Sequence, residues 1–277
     1  KFEFNGDYFI IPEAMFMENT VLEEIVVGNG VVEIGEDAFN KCSNLKKVTI
    51  GNDTELVGKN AFYECTNLDS VAFGNSIKKI GDYAFYGCSA LTELALPDSL
   101  EEIGVYAFHL CAGIKSLTIP NNVSVIGMNA FGMCSSLEEV TFGANDGTIG
   151  DYAFAYNEKL SKVNLGGAKV LGTSAFEGCG ELVTVDFGTA LTTIGSKAFK
   201  NCDKLTDVVL ADTVTSIDTY AFTECDALAN VTINDGCNTI GAYAFANCKA
   251  LKQAIIPDSV NSLGKFAFTG CTALTTV

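Results

Sequence analysis

Apolar positions along this chain recur with a fixed period. Phe stands at positions 16, 39, 62, 85, 108, 131, 154, 176, 199, 222, 245 and 268; ten of the eleven intervals are 23 residues, and one is 22. Self-similarity at such a period marks a repeat architecture. Ala precedes Phe in every copy but the first, where Met15 stands, and Leu or Ile follows six residues later, from Leu22 to Leu274. Beyond it apolar and polar residues alternate, as in Val48 and Ile50, Val71 and Phe73, Leu117 and Ile119, or Val140 and Phe142. That alternation predicts a short strand with one buried face. Gly-Asn (Gly51-Asn52, Gly74-Asn75) or Pro-Asp/Asn (Pro97-Asp98, Pro120-Asn121, Pro257-Asp258) then predicts a turn, because Pro presets φ and Gly tolerates the left-handed region. A second extended piece ends in Ile-Gly, as at Ile80-Gly81, Ile103-Gly104, Ile126-Gly127 and Ile194-Gly195. The segment from that Gly to the Phe suits one helical or 3₁₀ turn with Ala and Phe inward.

No single copy can bury its own apolar face, so the copies must stack, with parallel strands about 4.8 Å apart. The prediction is a repeat solenoid of about twelve 23-residue repeats, with short parallel strands and short helical or 3₁₀ turns, forming one domain over residues 1–277. The 22-residue interval places its missing residue at Gly166-Gly167-Ala168, the turn after the strand, where a deletion least disturbs inward positions. Asp218, standing where other copies carry Gly, has no account in the pattern. Phe2 and Phe4 match the two inward strand positions and Val277 the first of them, without a polar cap. Exposed solenoid ends invite pairing, so the expectation is a part of a longer array, capable of end-to-end self-association.

The pattern Cys-x-x-Leu-x-x-Val-x-Ile followed by Ile-Gly-x-x-Ala-Phe resembles the BspA-like, or Treponema-type, leucine-rich repeat family. The resemblance covers the chain from Phe2 to Val277. It implies a curved right-handed leucine-rich-repeat superhelix, of a kind found mostly in secreted or surface-displayed microbial proteins described as adhesins. It brings no catalytic residues with it, because the defining motif is structural.

Composition narrows the partners. With 48% hydrophobic and 18% charged residues the chain is globular. Its formal charge of -17 sets 34 acidic residues against 17 basic ones, all of them Lys, so no Arg can fork onto phosphate or guanine. The expectation is no nucleic-acid partner and no membrane insertion. The uncharged stretch 116–137 has spanning length but contains Pro120-Asn121-Asn122 and two glycines, and reads as one lightly charged repeat. Trp is absent, so an interface anchor must come from Tyr or Phe.

Ten of the eleven cysteines (Cys42, Cys65, Cys88, Cys111, Cys134, Cys179, Cys202, Cys225, Cys248, Cys271) stand three residues after the Phe, a position that Asn takes at 19 and 157. Stacked side chains point in parallel, whereas metal ligands converge and disulfides need facing Cβ atoms, so the expectation is a ladder of buried free thiols. Cys237 takes an apolar slot held elsewhere by Ile77 or Leu100. His109, the single histidine, is expected to face solvent. No EF-hand loop, multi-histidine cluster or marked carboxylate pair is present, so neither cofactor nor catalysis is expected.

Two readings of function remain. One is a binding or adhesion scaffold, secreted or at the cell surface, offering a repeat surface to a protein or glycan. The other is a structural spacer or assembly element within a larger surface or fibre protein. Two columns are candidates for contact. The outward strand position runs Glu24, Lys47, Ser70, Glu93, Ser116, Glu139, Lys162; its neighbour column Glu23, Lys46, Asp69 reads as cross-strand charge pairing. Two residues before the Phe, aromatic residues stand at Tyr83 and Tyr106, at Tyr152, and at Tyr220, Tyr243 and Phe266. Stacking makes these ladders with roughly 5 Å spacing, serving either as covers for the core edge or as exposed contacts.

Overall fold

The computed structural model describes residues 1–4, 6, 9–144 and 146–276. Two compact units divide the chain, Lys1–Leu137 and Glu138–Val277. In each, successive copies are turns of a parallel-strand solenoid. Four first strands of unit one, Phe2–Phe4, Glu24–Val27, Lys47–Ile50 and Ser70–Ala72, pair in parallel with Ile25 opposite Val48 and Val48 opposite Val71. The second strands of the unit, from Phe9–Ile11 to Val125–Ile126, form another parallel sheet. Unit two repeats the scheme. Its first strands run from Glu139–Phe142 to Gln253–Ile255 and its second strands from Thr148–Ile149 to Ser262–Leu263.

The deletion is visible in the register. Val140 pairs with Val163 and Thr141 with Asn164, a step of 23, but Thr148 pairs with Val170, a step of 22. The residue is therefore lost between Asn164 and Val170, where Gly166 takes φ +53° and a Cβ would run into the Phe142 and Gly143 carbonyl oxygens. Phe4 is buried as expected, whereas Phe2 is 39% exposed; Val277 lies outside the described residues.

The expected helical turn is a correction. Among the described residues there is no helix, and the segment around each Phe is a run of tight turns. Every non-glycine residue with positive φ, at 51–63°, falls two residues before or two residues after the Phe. Hydrogen bonds explain the alternation. Tyr83, Phe85 and Gly87 donate their N–H groups to the Val105, Ala107 and His109 carbonyls of the next copy at 2.7–2.8 Å. Ala84, Tyr86 and Cys88 donate back three residues, to Gly81, Tyr83 and Phe85. Alternating right- and left-handed residues turn alternate N–H groups outward, so the third side of the solenoid is bonded from copy to copy much as the strands are. A continuous helical turn would satisfy itself and leave the neighbour unpaired.

The core is a set of columns. The Phe rings stack face to face at 5.1–5.6 Å in unit one and 5.2–5.4 Å in unit two, with interplanar angles of 2–10°. The cysteine column lies beside them. Each thiol donates to the Phe carbonyl of the preceding copy, as Cys65 does to Phe39 at 3.1 Å and Cys225 to Phe199 at 3.2 Å. The Phe39 carbonyl also accepts the Cys42 N–H at 3.1 Å, and where Asn157 stands in place of Cys its side-chain amide donates to the carbonyl of its own copy's Phe154 at 2.8 Å. Burial pushes the thiols up, Cys42 to about 11 and Cys134, Cys179 and Cys225 to about 12. The Gly column is closed by contact: a Cβ on Gly104 would lie 2.6 Å from the Asp82 backbone nitrogen. Asp218 turns its carboxylate to the Ser216 hydroxyl, which donates at 2.6 Å; nothing explains why Gly is absent there.

Candidate binding surfaces

The strand-face column stands where alternation puts it. Lys47, Glu93, Ser116 and Lys162 are exposed, and Ser70 and Glu139 half-buried. Within unit one Lys47 pairs with Ser70, and Ser70 bridges to Glu93. In unit two Lys162 Nζ donates to Glu139 Oε1 at 2.6 Å. The neighbour column behaves alike, with Lys46 on Glu23 at 3.2 Å, and so do Lys59 on Glu36 and Lys204 on Glu181. Such exposed pairs add little stability and keep a sheet soluble.

The aromatic column lies on the turn side, at left-handed backbone positions: Tyr83, Tyr106, Tyr152, Tyr220, Tyr243 and Phe266 all have φ of 56–62°. The side chains splay away from the core, leaving the tyrosines half-buried, while Phe266, in the last copy of the sequence, is 59% exposed. Tyr83 and Tyr106 stack at 5.0 Å, Tyr220 and Tyr243 at 4.9 Å, and Tyr243 and Phe266 at 5.1 Å. The ladders are present at the expected spacing.

Three features lie outside what the sequence suggested. His109 does not face solvent: it is 8% exposed, stacked on Tyr86 at 5.5 Å and edge-on to Tyr106 at 5.0 Å. Its neighbour in the next copy, Gly132, leaves room for the ring, since a Cβ there would lie 2.8 Å from His109 Nδ1. Burial holds the imidazole below its ordinary pKa, opposed by a hydrogen bond to the Asn129 backbone, and Nδ1 has no partner. The second feature is a further ladder, one residue after the Phe, in which Tyr63 and Tyr86 stack at 4.9 Å and His109 continues the column. The shared column of Tyr63 and Tyr86 was the available signal.

The third feature is a slot in unit two. The column that holds Tyr63, Tyr86 and His109 in unit one holds Thr223, Ala246 and Thr269 beside Tyr220, Tyr243 and Phe266. A cavity of about 440 Å³ opens there, lined also by Lys197, Lys200, Glu224 and Asn247. Lys200 sits between Glu177 and Glu224 at 3.9 and 3.8 Å. The depth of this slot comes from the small side chains at its floor. Among the described residues no group of three His, Cys, Asp or Glu side chains is placed to hold a metal, and no helix is long and apolar enough to cross a membrane.

Comparison with known proteins agrees with this architecture. A family model described as BspA type leucine rich repeat region, in six copies, matches residues 9–138, 55–183 and 147–275. A leucine rich cell surface protein of Faecalibacterium prausnitzii A2-165 is 25% identical, with a TM-score of 0.57, over 99% of this chain and 88% of its own. The leucine rich repeat protein of T. pallidum is 27% identical, with a TM-score of 0.55, over 58% of this chain and 78% of its own. Among curated proteins none matches significantly. With the repeat motif carried from residue 9 to residue 275, the chain belongs to the BspA-type leucine-rich repeat family.

Proposed function

We propose that the chain is a non-catalytic binding or adhesion scaffold, working secreted from or displayed on a microbial cell, and that it presents its turn side to a protein or glycan. The observation that carries this reading is the half-exposed ladder Tyr220–Tyr243–Phe266, its rings held on a hydrogen-bonded backbone. Large, rigid amphipathic rings give contact area at little entropic cost, which is the property interface anchors share. The surface location draws support from the relative named as a cell surface protein. A spacer function would need only the buried Phe and Cys columns, and would leave the stacked, half-buried rings of Tyr220 and Tyr243 without a use.

The test is a binding screen against matrix proteins and glycan arrays, repeated with the double variant Tyr220→Ser, Tyr243→Ser. Binding that is lost at an unchanged melting temperature supports the contact surface. A large drop in melting temperature returns the rings to the fold, and a screen without partners favours the spacer.

A further inference from the structure

The repeat supplies its own evidence for what fits the slot in unit two, because unit one fills the equivalent space from its own sequence. There Tyr86 lies 5.9 Å from Tyr83 at 46°, and His109 lies 5.0 Å from Tyr106 at 77°. Each is a planar ring set edge or tilt against the ladder, an arrangement aromatic quadrupoles favour. In unit two the ladder geometry is kept, with 4.9 Å and 7° for Tyr220–Tyr243 against 5.0 Å and 8° for Tyr83–Tyr106. Thr223 and Ala246 replace the two inserted rings, and the Thr223 hydroxyl is already committed to the Tyr243 carbonyl at 2.6 Å. The wall is preserved and the occupant is missing.

Charge selects further. Both columns pass into lysine at one end of the slot, Lys197 ahead of Tyr220 and Lys200 ahead of Thr223. Lys200 is shared by two glutamates, whereas Lys197 lies in no ion pair among the described residues. In a chain of net charge -17, an unpaired ammonium beside an aromatic wall favours an acidic group next to the inserted ring.

We infer that the slot between Tyr220, Tyr243 and Ala246 receives an aromatic side chain of a protein partner, with an acidic residue beside it held by Lys197. This deepens the scaffold reading and rests on it for the identity of the partner as a protein; the slot itself is tested separately.

The probes are three capped dipeptide amides: Glu-Tyr, Glu-cyclohexylalanine with a saturated ring, and Lys-Tyr with reversed charge. Binding is read by protein amide chemical-shift perturbation. The expected result is millimolar binding of Glu-Tyr, as suits so small a ligand, with at least five-fold weaker binding of each of the other two. Ala246→Tyr, which places in this column the residue that Tyr86 already is in unit one, abolishes it. Thr269→Tyr, at an exposed position, serves the same purpose if Ala246→Tyr lowers the melting temperature. Equal binding of the saturated ring, or binding that survives both filled variants, overturns the inference. A macromolecular partner that binds wild type and both filled variants alike removes the slot and leaves the scaffold. Peptide binding without any macromolecular partner in the screen keeps the slot and removes the scaffold.

Discussion

Leu110 offers a direct measure of the cost of the alternating backbone. It stands two residues after Phe108 with φ +61°, its N–H bonded to the Gly132 carbonyl at 3.0 Å and its side chain 37% exposed. Leu110→Ala and Leu110→Gly both remove the side chain beyond Cβ, so the difference between them reports chiefly the backbone. An L-residue in the left-handed region costs about 1–2 kcal/mol. Gly escapes that cost but loses about 0.4–1 kcal/mol more chain entropy on folding. Subtraction leaves Leu110→Gly more stable than Leu110→Ala by about 0.8 kcal/mol. The chain already places Gly in this column at Gly87, Gly178 and Gly270, with φ of 70–74°. Ala72, on the exposed face of the strand Ser70–Ala72, is the control, because Ala72→Gly there loses about 0.5–1 kcal/mol. Urea unfolding midpoints followed by far-ultraviolet circular dichroism decide the matter. A Leu110→Ala protein as stable as Leu110→Gly, or more so, would falsify the hydrogen-bond account of the turn side.

Further outcomes follow from the same geometry. In native protein a thiol reagent reacts first with Cys271, which is half-buried where the other ladder cysteines are buried. The other ladder thiols react only on denaturation, and several fast native thiols would refute the sealed column. Stability declines on acidification: the folded pKa of His109 is depressed, so its contribution is full above the unfolded value of about 6.5 and is lost as pH falls from there toward the folded pKa. His109→Phe flattens that part of the stability profile, and an unchanged slope in the variant would count against it. Phe199→Ala opens a gap between Phe176 and Phe222, stacked at 5.4 and 5.3 Å, and costs about 3–5 kcal/mol by denaturant titration. A loss below about 1 kcal/mol would mean that the column collapses around the gap.

Much of the fold was legible because the sequence repeats it. The period located every Phe of the stacked column, and the single 22-residue interval located the deletion, confirmed by the step from Thr148 to Val170. The turn side was not legible in the same way. A helical turn and a run of alternating turns place Ala and Phe inward alike, and the difference lies in where N–H groups such as that of Phe85 go. Residues as unlike as Asp37, Tyr83, Ser174 and Lys197 take the left-handed conformation in one column, so residue type gives no signal. The aromatic ladders were readable from Tyr220, Tyr243 and Phe266, but the slot was not, since it arises from small residues such as Ala246 that look unremarkable one at a time. The burial of His109 depends on rings at Tyr86 and Tyr106 and on a neighbour without a side chain, Gly132, a combination that no single position of the sequence displays.

The corner at Gly166–Ala168 shows where such a protein can change length. Strand register and the left-handed columns bind each copy to the next at fixed intervals, so an insertion there would shift every later bond. The corner absorbs a missing residue with only a local rearrangement of the Gly166 backbone. New material enters without loss of register in two ways: as whole 23-residue modules, which recombination between similar copies can add or remove, or as loops grown at this corner. One rim can therefore vary in length while the packed columns behind it stay the same.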